Sequence, residues 1–405
     1  MRALFFRSAV SNYMPDITVP FSTGVGAGYN TKIRSLESSY SLTGNKGNMI
    51  HRESISSLLK VDRNKSAYVN LFRLYNSCSN EEFSCYIKDN FDVVIFTMAN
   101  FIRKGTGEEK LAKIVDLIDV PLYVFGVGLQ DDLPRDANVL SHEAVRLLRL
   151  FNDKARIFGT RGKYTESWLH AIGCNNAVAL GCPSMFVYPK NIVSSTPYKC
   201  NDKSKIITAG HFNPRLLSSD EENRSHYLMR LFEGREVSYV FQSELFSFKT
   251  LLNIDDCYDG ASCTINSAAI NKCVSSFCNI DNPFTKYYYF NSTDAWRLAC
   301  SHYDLYIGDR IHGGVAAFQT GIPSIVLYQD LRVKEIAEYY KMPSMSIDKS
   351  LELGLNAAVE EVLNQGSIDK FINRYKVVYK KFYNIMVGEG FSFVNESDIK
   401  QAIFK

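Results

Sequence analysis

The sequence predicts an α/β protein made of two Rossmann-like, doubly wound domains that face each other across a cleft. Its 405 residues are more than one hydrophobic core ordinarily holds, which favours two domains. Short apolar runs alternate with helical stretches of about 10 to 15 residues, the pattern of parallel strands joined by crossover helices. This pattern stops at a polar stretch, residues 188–203, and then starts again. We therefore expect an N-terminal domain at residues 1–195, a C-terminal domain at residues 196–350, and C-terminal helices at residues 351–405 that pack back on the first domain.

The alternation of strands and helices in the first half is clearest between residues 92 and 180. Strands are predicted where apolar residues run without interruption, and helices where they recur about every 3.6 residues. Gly173 directly follows the predicted helix at residues 162–172, and a glycine in that position often ends a helix. The predicted strands are residues 92–96, 121–125, 155–158 and 176–180, and the predicted helices are residues 141–152 and 162–172.

The second half repeats the alternation after the polar stretch, which reads as a linker. Its most regular part is residues 303–328, where an apolar run ends at Gly308, a small-residue segment follows, and a second apolar run begins after Gly321-Ile322-Pro323. That order is typical of strand, tight turn, helix and strand. The other predicted elements are strands at residues 205–209, 237–241 and 287–290 and a helix at residues 221–233.

The C-terminal segment 367–384 is predicted to be a basic helix with one apolar face. That face carries Phe371, Tyr375, Val378 and Phe382. Two interpretations stay open. The face could pack on a domain while the lysines are solvated, or the helix could make a peripheral contact with a membrane surface.

The composition argues against several classes of protein. Apolar residues make up 46% and charged residues 22%, as in an ordinary globular protein. A net charge of +3, with no zinc finger or RNA-recognition signature, does not favour binding to nucleic acid. The ten cysteines form no CxxC pair, so we expect free thiols in a reducing compartment and a cytoplasmic protein. No HExxH motif or dense group of Cys and His appears, so neither a metal ion nor another cofactor is predicted.

Residues 309–312 place charged and ionisable side chains at the carboxyl end of a predicted buried strand. Arg310 and His312 stand two positions apart where the strand gives way to a helix. Ligands of open α/β sheets bind at this edge, and a helix N-terminus favours anions. Arginine binds carboxylate or phosphate, and histidine exchanges protons near neutral pH. The pattern predicts an anion site beside a proton carrier, unless Arg310 pairs with Asp309 or another carboxylate and His312 caps the helix.

A second strand end carries another candidate anion site. Arg161 follows the strand at residues 155–158 and precedes a helix, whereas Lys163 lies about 200° away around that helix. Ser184, in a Gly-Cys-Pro-Ser turn after the next strand, could donate to an anion or be part of a structural turn. Cys182, in the same turn, has no obvious base nearby in sequence and is more typical of a small buried residue.

Weaker sequence signals place two further histidines near the cleft. His211 follows the first strand of the second half, and His51 lies near Gly47-Asn48. Gly126-Val127-Gly128 is predicted to form a glycine turn after a strand. A GxG without a third glycine and an acidic partner is poor evidence for a dinucleotide site.

The segments RGKYTESWLHAIGCNNAVALGCPSMF and YDLYIGDRIHGGVAAFQTGIPSIV resemble the polysaccharide pyruvyl transferase family. The order of the motifs and the flanking strands match over about residues 92–327. One departure is that the first strand runs into Met98-Ala99-Asn100, where the family usually has glycines. The resemblance implies a fold like that of glycosyltransferases of type B. It also implies that phosphoenolpyruvate is the donor substrate and that the product is a pyruvate ketal on two hydroxyls of one sugar.

The resemblance also implies roles for individual residues. Arg161 and Arg310, one from each domain, would bind the two anionic groups of phosphoenolpyruvate. His312 would transfer protons, in a direction that stays open. Donor-side contacts are also expected from Ser184 and from the amides near Gly313, and acceptor-side or cleft contacts from Asn100, His211 and His51.

The sugar acceptor could be free, polymeric or lipid-linked. Two rival functions remain on the same fold. One is a glycosyltransferase that uses a nucleotide sugar, and the other is a glycan-binding protein without catalytic activity.

Overall fold

The computed structural model describes residues 1–6, 18–20, 45–105, 108–213, 224–248, 257–276 and 281–405. The first three residues of the helix predicted at 221–233 lie outside these ranges. Two mainly parallel sheets, each with helices on both faces, form the molecule. The prediction of two Rossmann-like domains facing a cleft is therefore confirmed.

The first sheet is parallel except where β2 pairs with β3 at one edge. Its strands are β1 (Ala3–Phe6), β2 (Thr18–Pro20), β3 (Ala67–Val69), β4 (Val93–Thr97), β5 (Asn100–Ile102), β6 (Leu122–Leu129), β7 (Ala155–Thr160) and β8 (Ala177–Ala179). Their order is β2-β3-β1-β4-β6-β7-β8, and β5 pairs with β6. Successive residues of β1 enter different hydrophobic clusters, Phe5 on one face and Phe6 on the other. Such alternation requires helices on both faces of the sheet.

The second sheet is parallel through its centre and antiparallel at one edge. Its strands are β9 (Ile206–Thr208), β10 (Val237–Val240), β11 (Tyr258–Asp259), β12 (Thr264–Ile265), β13 (Phe284–Tyr288), β14 (Leu305–Gly308), β15 (Ser324–Tyr328) and β16 (Ser344–Ser346). Their order is β11-β12-β13-β10-β9-β14-β15-β16. The strand predicted at residues 287–290 begins three residues earlier, at Phe284.

The helices fill the predicted crossover positions, and several have capping side chains. In the first half they are α1 (Gly47–Arg52), α2 (Ser54–Leu58), α3 (Leu71–Ser77), α4 (Asn80–Asn90), α5 (Glu109–Asp116), α6 (His142–Lys154), α7 (Lys163–Ala171) and α8 (Pro189–Val193). Ser141 caps α6 by accepting from the Ala144 amide. The short helix α8 lies inside the predicted linker, where Pro189 begins the helix and Ile192 is buried.

The helices of the second half continue to the end of the chain. They are α9 (Arg224–Leu231), α10 (Ser267–Ser275), α11 (Thr293–Cys300), α12 (Ile311–Phe318), α13 (Leu331–Tyr340), α14 (Ile347–Leu353), α15 (Leu355–Val362), α16 (Gln365–Gly388) and α17 (Glu396–Ile399). Within the described ranges, none of them has the length and apolar content needed to cross a membrane.

The long helix α16 packs against the N-terminal half. The Tyr375 hydroxyl donates to the Met185 carbonyl at 2.7 Å, and the Phe382 ring stacks on Phe186 with centroids 4.1 Å apart. Phe371, Tyr375, Val378 and Phe382, the predicted apolar face, are all buried. That face is therefore occupied by packing within the chain.

The two halves are also joined by buried polar contacts. Glu53, between α1 and α2, forms an ion pair with Arg297 of α11. The Glu335 carboxylate on α13 accepts from the Thr165 amide at 2.6 Å and from the Thr165 hydroxyl at 2.8 Å. Glu335 thereby caps the N-terminus of α7, whose own N-cap residue, Gly162, has no side chain to do so.

Candidate active site

A pocket of about 350 Å³ opens between the carboxyl ends of the two sheets. Five of the eight predicted site residues line it, namely Asn100, Arg161, His211, Arg310 and His312. The structure adds lining residues that were not among those predicted for the site, namely Asn45, Asn48, Ala99, Arg103, Gln130, Gln242, Asp309, Ile311, Arg332 and Val333. The rule that ligands bind at the carboxyl edge of parallel sheets therefore located the pocket.

Arg161 enters the pocket as a buried cation that lacks one hydrogen-bond partner. It follows β7 directly, and only 4% of the residue is exposed. Its Nη1 donates to Asn100 Oδ1, whereas its buried Nε has no partner among the described residues. Burial lowers the pKa of Arg161, but an arginine still carries its charge at neutral pH. An unsatisfied buried donor costs about 1–3 kcal/mol, which an anion in the pocket would offset.

Two glycines of β6 make room for side chains at the site. A Cβ at Gly128 would overlap Arg161 Nε, and a Cβ at Gly126 would lie 2.7 Å from His51 Cε1. Gly126 also has a φ of +75°, which disfavours any residue with a side chain. The GxG sequence is thus part of a strand, and its glycines admit Arg161 and His51.

Gln242 is a second buried donor that faces the pocket. It follows β10, is 2% exposed, and its Nε2 has no partner among the described residues. The sequence signal that could have identified Gln242 is its position just after a predicted strand. The other candidate site residues also follow strands at that edge of the sheet. A glutamine in a polar chain does not stand out by residue type alone.

Arg310 lines the pocket but already pairs with a carboxylate. Its Nη2 lies 3.1 Å from Glu244 Oε2, and its Nε donates to the Gly210 carbonyl at 3.1 Å. Burial by itself would lower the pKa of Arg310, but the Glu244 and Asp309 carboxylates outweigh it and raise that pKa. The partner is Glu244 because Asp309 instead contacts His211, with Nδ1 and Oδ2 2.8 Å apart.

Arg332 is a further cation at the pocket that the sequence analysis did not consider. It lies in the first turn of α13, next to the Asp330 N-cap, and pairs with Asp330 at 2.7 Å. The segment from β15 into α13 has the same strand, turn and helix order as the segments that carry Arg161 and Arg310. That repetition could have revealed it.

His51, Cys182 and His312 form a compact cluster behind the pocket. Cys182 Sγ lies 3.4 Å from His51 Nδ1 and 3.8 Å from His312 Nε2, and His51 Nε2 contacts the Met98 carbonyl. Burial, followed by the charge of Arg161, lowers the pKa of His312 to about 3. Burial lowers the pKa of His51 far below its usual value, and His312 and Arg161 add to that effect. Both imidazoles are therefore neutral at physiological pH.

The same three side chains are also a candidate set of metal ligands. Their donor atoms all lie within 4.8 Å of one another. Two imidazoles and a thiolate would suit Zn²⁺, but the neighbouring Arg161 cation opposes a second positive charge there. Burial also raises the pKa of Cys182, which favours the neutral thiol even though Arg161 acts the other way.

Three predicted site residues lie outside the pocket lining, and their contacts explain why. The Gly313 amide donates to the Arg310 carbonyl at 2.9 Å, and a Cβ at Gly313 would lie 2.6 Å from the Tyr306 hydroxyl. Ser184 is fully buried, with its hydroxyl 3.0 Å from Cys182 Sγ. His51 belongs to the cluster behind His312. The structure thus gives Gly313 a packing role, and it places Ser184 and His51 where they can act only through neighbours.

We expect the two neutral histidines to make the protein less stable in mild acid. The unfolded chain binds protons near pH 6.5, whereas folded His312 stays neutral down to about pH 3. Stability therefore falls as pH drops below about 6.5, by up to about 1.4 kcal/mol per pH unit for each such histidine. His312→Gln should reduce the slope of unfolding free energy against pH by about one proton between about pH 6 and 5, measured by urea unfolding.

Comparing slopes separates this effect from any change in overall stability caused by the substitution. Exposed His302 provides the control, because His302→Gln should leave the slope unchanged. Equal slopes for the wild-type protein and His312→Gln would show that His312 titrates normally.

Comparison with known proteins identifies a family whose model spans residues from both halves of the site. The model of the family described as polysaccharide pyruvyl transferase matches residues 26–330. That range contains every residue that lines the pocket except Arg332 and Val333. No curated protein matches the sequence.

Solved structures with a similar fold share little sequence with the chain. UDP-N-acetylglucosamine 2-epimerase from Rickettsia bellii is 12% identical, with 82% of each chain covered and a TM-score of 0.39. The Neisseria meningitidis enzyme of that name, bound to UDP-GlcNAc, is 10% identical over 75% of this chain and 80% of the other, with a TM-score of 0.39. OtsA in its apo form is 9% identical over 95% of this chain and 96% of the other, with a TM-score of 0.42.

Proposed function

The chain belongs to the polysaccharide pyruvyl transferase family, and from that premise we propose that it transfers the pyruvate moiety of phosphoenolpyruvate to two hydroxyls of one sugar. The products are a pyruvate ketal and phosphate. The acceptor is a sugar of a polysaccharide or of a glycan precursor, either free or lipid-linked. The reaction needs no cofactor besides the donor substrate.

The buried Arg161 guanidinium is the observation that carries this proposal. Phosphoenolpyruvate has a carboxylate and a phosphate, so its site must supply several donors and positive charge. Within the described ranges, Arg161 has an unpartnered Nε, and Gln242 has an unpartnered Nε2 on the facing half. An oxyanion between them would satisfy both donors, and charge-assisted hydrogen bonds are the stronger kind.

Arg310 is the proposed second cationic contact, from the other half. Glu244 takes one side of its guanidinium, which fixes the orientation of the side chain and partly offsets its charge. Arg332 supplies further positive charge at the pocket, and Asp330 reduces it in the same way. Arg310 and Arg332 are each paired with a carboxylate, whereas Arg161 has no such pairing among the described residues. Arg161 is therefore the main anion contact, and the other two arginines support it.

The reaction also requires balanced proton transfer. The first sugar hydroxyl loses its proton as its oxygen bonds to C2 of the donor, and C3 gains a proton to become a methyl group. The C2–O bond to phosphate then breaks, and the second hydroxyl adds to C2 with loss of its proton. Over the whole reaction the two hydroxyl protons end on C3 and on phosphate. His312 lines the pocket and is the proposed group for these transfers.

A neighbouring pocket of about 590 Å³ offers a place for the acceptor. It shares Gln130 and Arg332 with the donor pocket, so a molecule held there reaches the reacting centre. Its lining includes the Tyr328 ring and the Asp131 carboxylate, groups that suit sugar rings and hydroxyls. Asn100 and His211 border the donor pocket, and their acceptor-side role stays part of the proposal.

We expect phosphate release that depends on both substrates. The protein is incubated with phosphoenolpyruvate and with galactosyl, glucosyl or mannosyl acceptors, while phosphate and acceptor mass are followed. The expected result is one phosphate for each pyruvate gained by the acceptor. Parallel incubations with nucleotide sugars test the rival glycosyltransferase, and consumption of a nucleotide sugar in place of phosphoenolpyruvate would refute the proposal. Glycan binding without any turnover would favour a non-catalytic binding protein.

A further inference from the structure

Four groups from separate segments form a hydrogen-bonded chain that ends at His312. They are the Met98 carbonyl after β4, His51 on α1, Cys182 after β8 and His312 on α12. The chain runs from the protein interior to the pocket, because His312 lines the pocket and the other three groups do not. Its chemistry fixes which atoms carry hydrogen.

The direction of the chain follows from its inner end. A carbonyl can only accept, so His51 Nε2, which contacts the Met98 carbonyl, must carry the hydrogen. A neutral imidazole has one N–H, so His51 Nδ1 holds a lone pair. The Cys182 thiol lies 3.4 Å from that nitrogen and donates its S–H to it.

The outer links follow from the assignment of the thiol. With its hydrogen turned toward His51, the Cys182 sulfur has only lone pairs left for its other contacts. These are His312 Nε2 at 3.8 Å, the Ser184 hydroxyl at 3.0 Å and the Ser184 backbone amide, which all then act as donors. His312 therefore carries its hydrogen on Nε2, and its lone pair lies on Nδ1.

We propose that Cys182 and His51 are positioning residues that hold His312 as its Nε2–H tautomer, so that Nδ1 acts as the base toward the first sugar hydroxyl. The hydroxyl O–H bond breaks, an Nδ1–H bond forms, and the imidazolium keeps its Nε2–H bond to the Cys182 sulfur. The proton later leaves Nδ1 for C3 or for the departing phosphate. The kinetic part of this inference rests on the proposed pyruvyl transfer, whereas the tautomer assignment does not.

Two other roles for the cluster make different predictions. A proton relay through Cys182 would need an acceptor at the inner end, but the chain ends at a carbonyl. A metal bound by the three side chains would displace the thiol hydrogen and occupy His312 Nε2, with Arg161 opposing it electrostatically. Both roles can be distinguished from the tautomer chain by spectroscopy on the resting protein.

The tautomers can be read directly from the ¹⁵N shifts of labelled histidine. The chain has seven histidines, and His51→Gln and His312→Gln assign the two signals of interest. Without substrate, both residues should appear as neutral Nε2–H imidazoles at neutral pH. In Cys182→Ala, His51 should keep its tautomer, because the Met98 carbonyl remains, while His312 should shift toward a mixture with Nδ1–H. Cys300→Ala, which removes a buried thiol elsewhere, should leave both signals unchanged.

Several results would overturn the assignment. These are an Nδ1–H or doubly protonated His312 in the resting protein, an unchanged His312 tautomer in Cys182→Ala, or histidine signals that move when EDTA removes a bound metal.

A kinetic arm tests the link to catalysis. With phosphoenolpyruvate and an acceptor that supports turnover, Cys182→Ala should lower kcat about 10- to 100-fold, by analogy with the loss seen when the partner that orients a metal-ligating histidine is removed. The KM for phosphoenolpyruvate should change less than about twofold, since Cys182 does not line the pocket. Cys182→Ser, which retains a donor and an acceptor, should recover part of kcat.

An unchanged kcat in Cys182→Ala would overturn the positioning role. Absence of turnover in the wild-type protein would refute the proposed function and leave the tautomer result standing.

Discussion

His312→Gln should lower kcat for pyruvate transfer by about 100- to 10,000-fold, the usual contribution of a general acid or base. Glutamine fills a similar volume and retains hydrogen-bonding atoms, but it cannot take a proton from a sugar hydroxyl. Burial and the charge of Arg161 lower the pKa of His312 to about 3, so the resting imidazole is neutral and has a free lone pair. The negative charges of bound phosphoenolpyruvate favour the protonated imidazole and raise that pKa, which makes His312 a stronger base when the donor is present. The KM for phosphoenolpyruvate should change little, because the anion contacts are made by arginines.

The measurement is steady-state phosphate release under conditions where the wild-type protein turns over. Thermal unfolding of the variant establishes that the fold is retained, and His302→Gln on the surface serves as the matched control. Near-normal kcat in a folded His312→Gln protein would remove His312 from the mechanism.

Arg161→Gln should weaken donor binding more than any other single substitution at the pocket. Arg161 is 4% exposed, and one of its donors has no partner in the part of the chain that the structure describes, so an anion there would pair with it away from water. Removing one member of a buried, hydrogen-bonded charge pair costs about 2–5 kcal/mol or more. We therefore expect the KM for phosphoenolpyruvate to rise at least about 30-fold, the equivalent of about 2 kcal/mol.

The conservative replacement Arg161→Lys tests geometry separately from charge. Lysine keeps the positive charge but has no planar set of donors, so it should recover only part of the binding. Arg156→Gln is the matched control, because Arg156 lies on the same strand with 59% of its side chain exposed. Calorimetric titration with phosphoenolpyruvate checks the KM result independently of turnover. Unchanged affinity in Arg161→Gln would place the donor elsewhere.

Much of the fold could be predicted because its signals are local. An uninterrupted apolar run such as residues 93–96 is typical of a strand inside a sheet that is covered on both faces, and β4 forms there. The exception at β6 has a physical cause. Gly126 and Gly128, predicted to form a turn, continue the strand instead. Glycine is needed at both positions because Arg161 and His51 approach too closely for any side chain there.

The candidate site was predicted where residue type and position coincided. Arg161, Arg310 and His312 each combine a functional side chain with a strand end that opens a helix, and all three line the pocket. Gln242 lacked a distinctive residue type. Gly313 had the expected position, but its amide is used by Arg310 and its missing side chain accommodates Tyr306.

The sequence by itself determined that the chain forms two α/β domains. It also determined which strand ends carry arginine and histidine. Both properties follow from the order of residues along short segments. Only the tertiary structure decided the partners of those side chains. Arg310 pairs with Glu244, although Asp309 is its neighbour in sequence, and Cys182 lies between His51 and His312. The Arg310–Glu244 pair spans 66 positions within the second half, and the contacts of Cys182 with His51 and His312 span 131 and 130 positions. The contact of Cys182 with His312 also depends on how the two sheets close on each other. No local pattern encodes that closure, and it is what makes Arg161 a buried cation and His312 a neutral base.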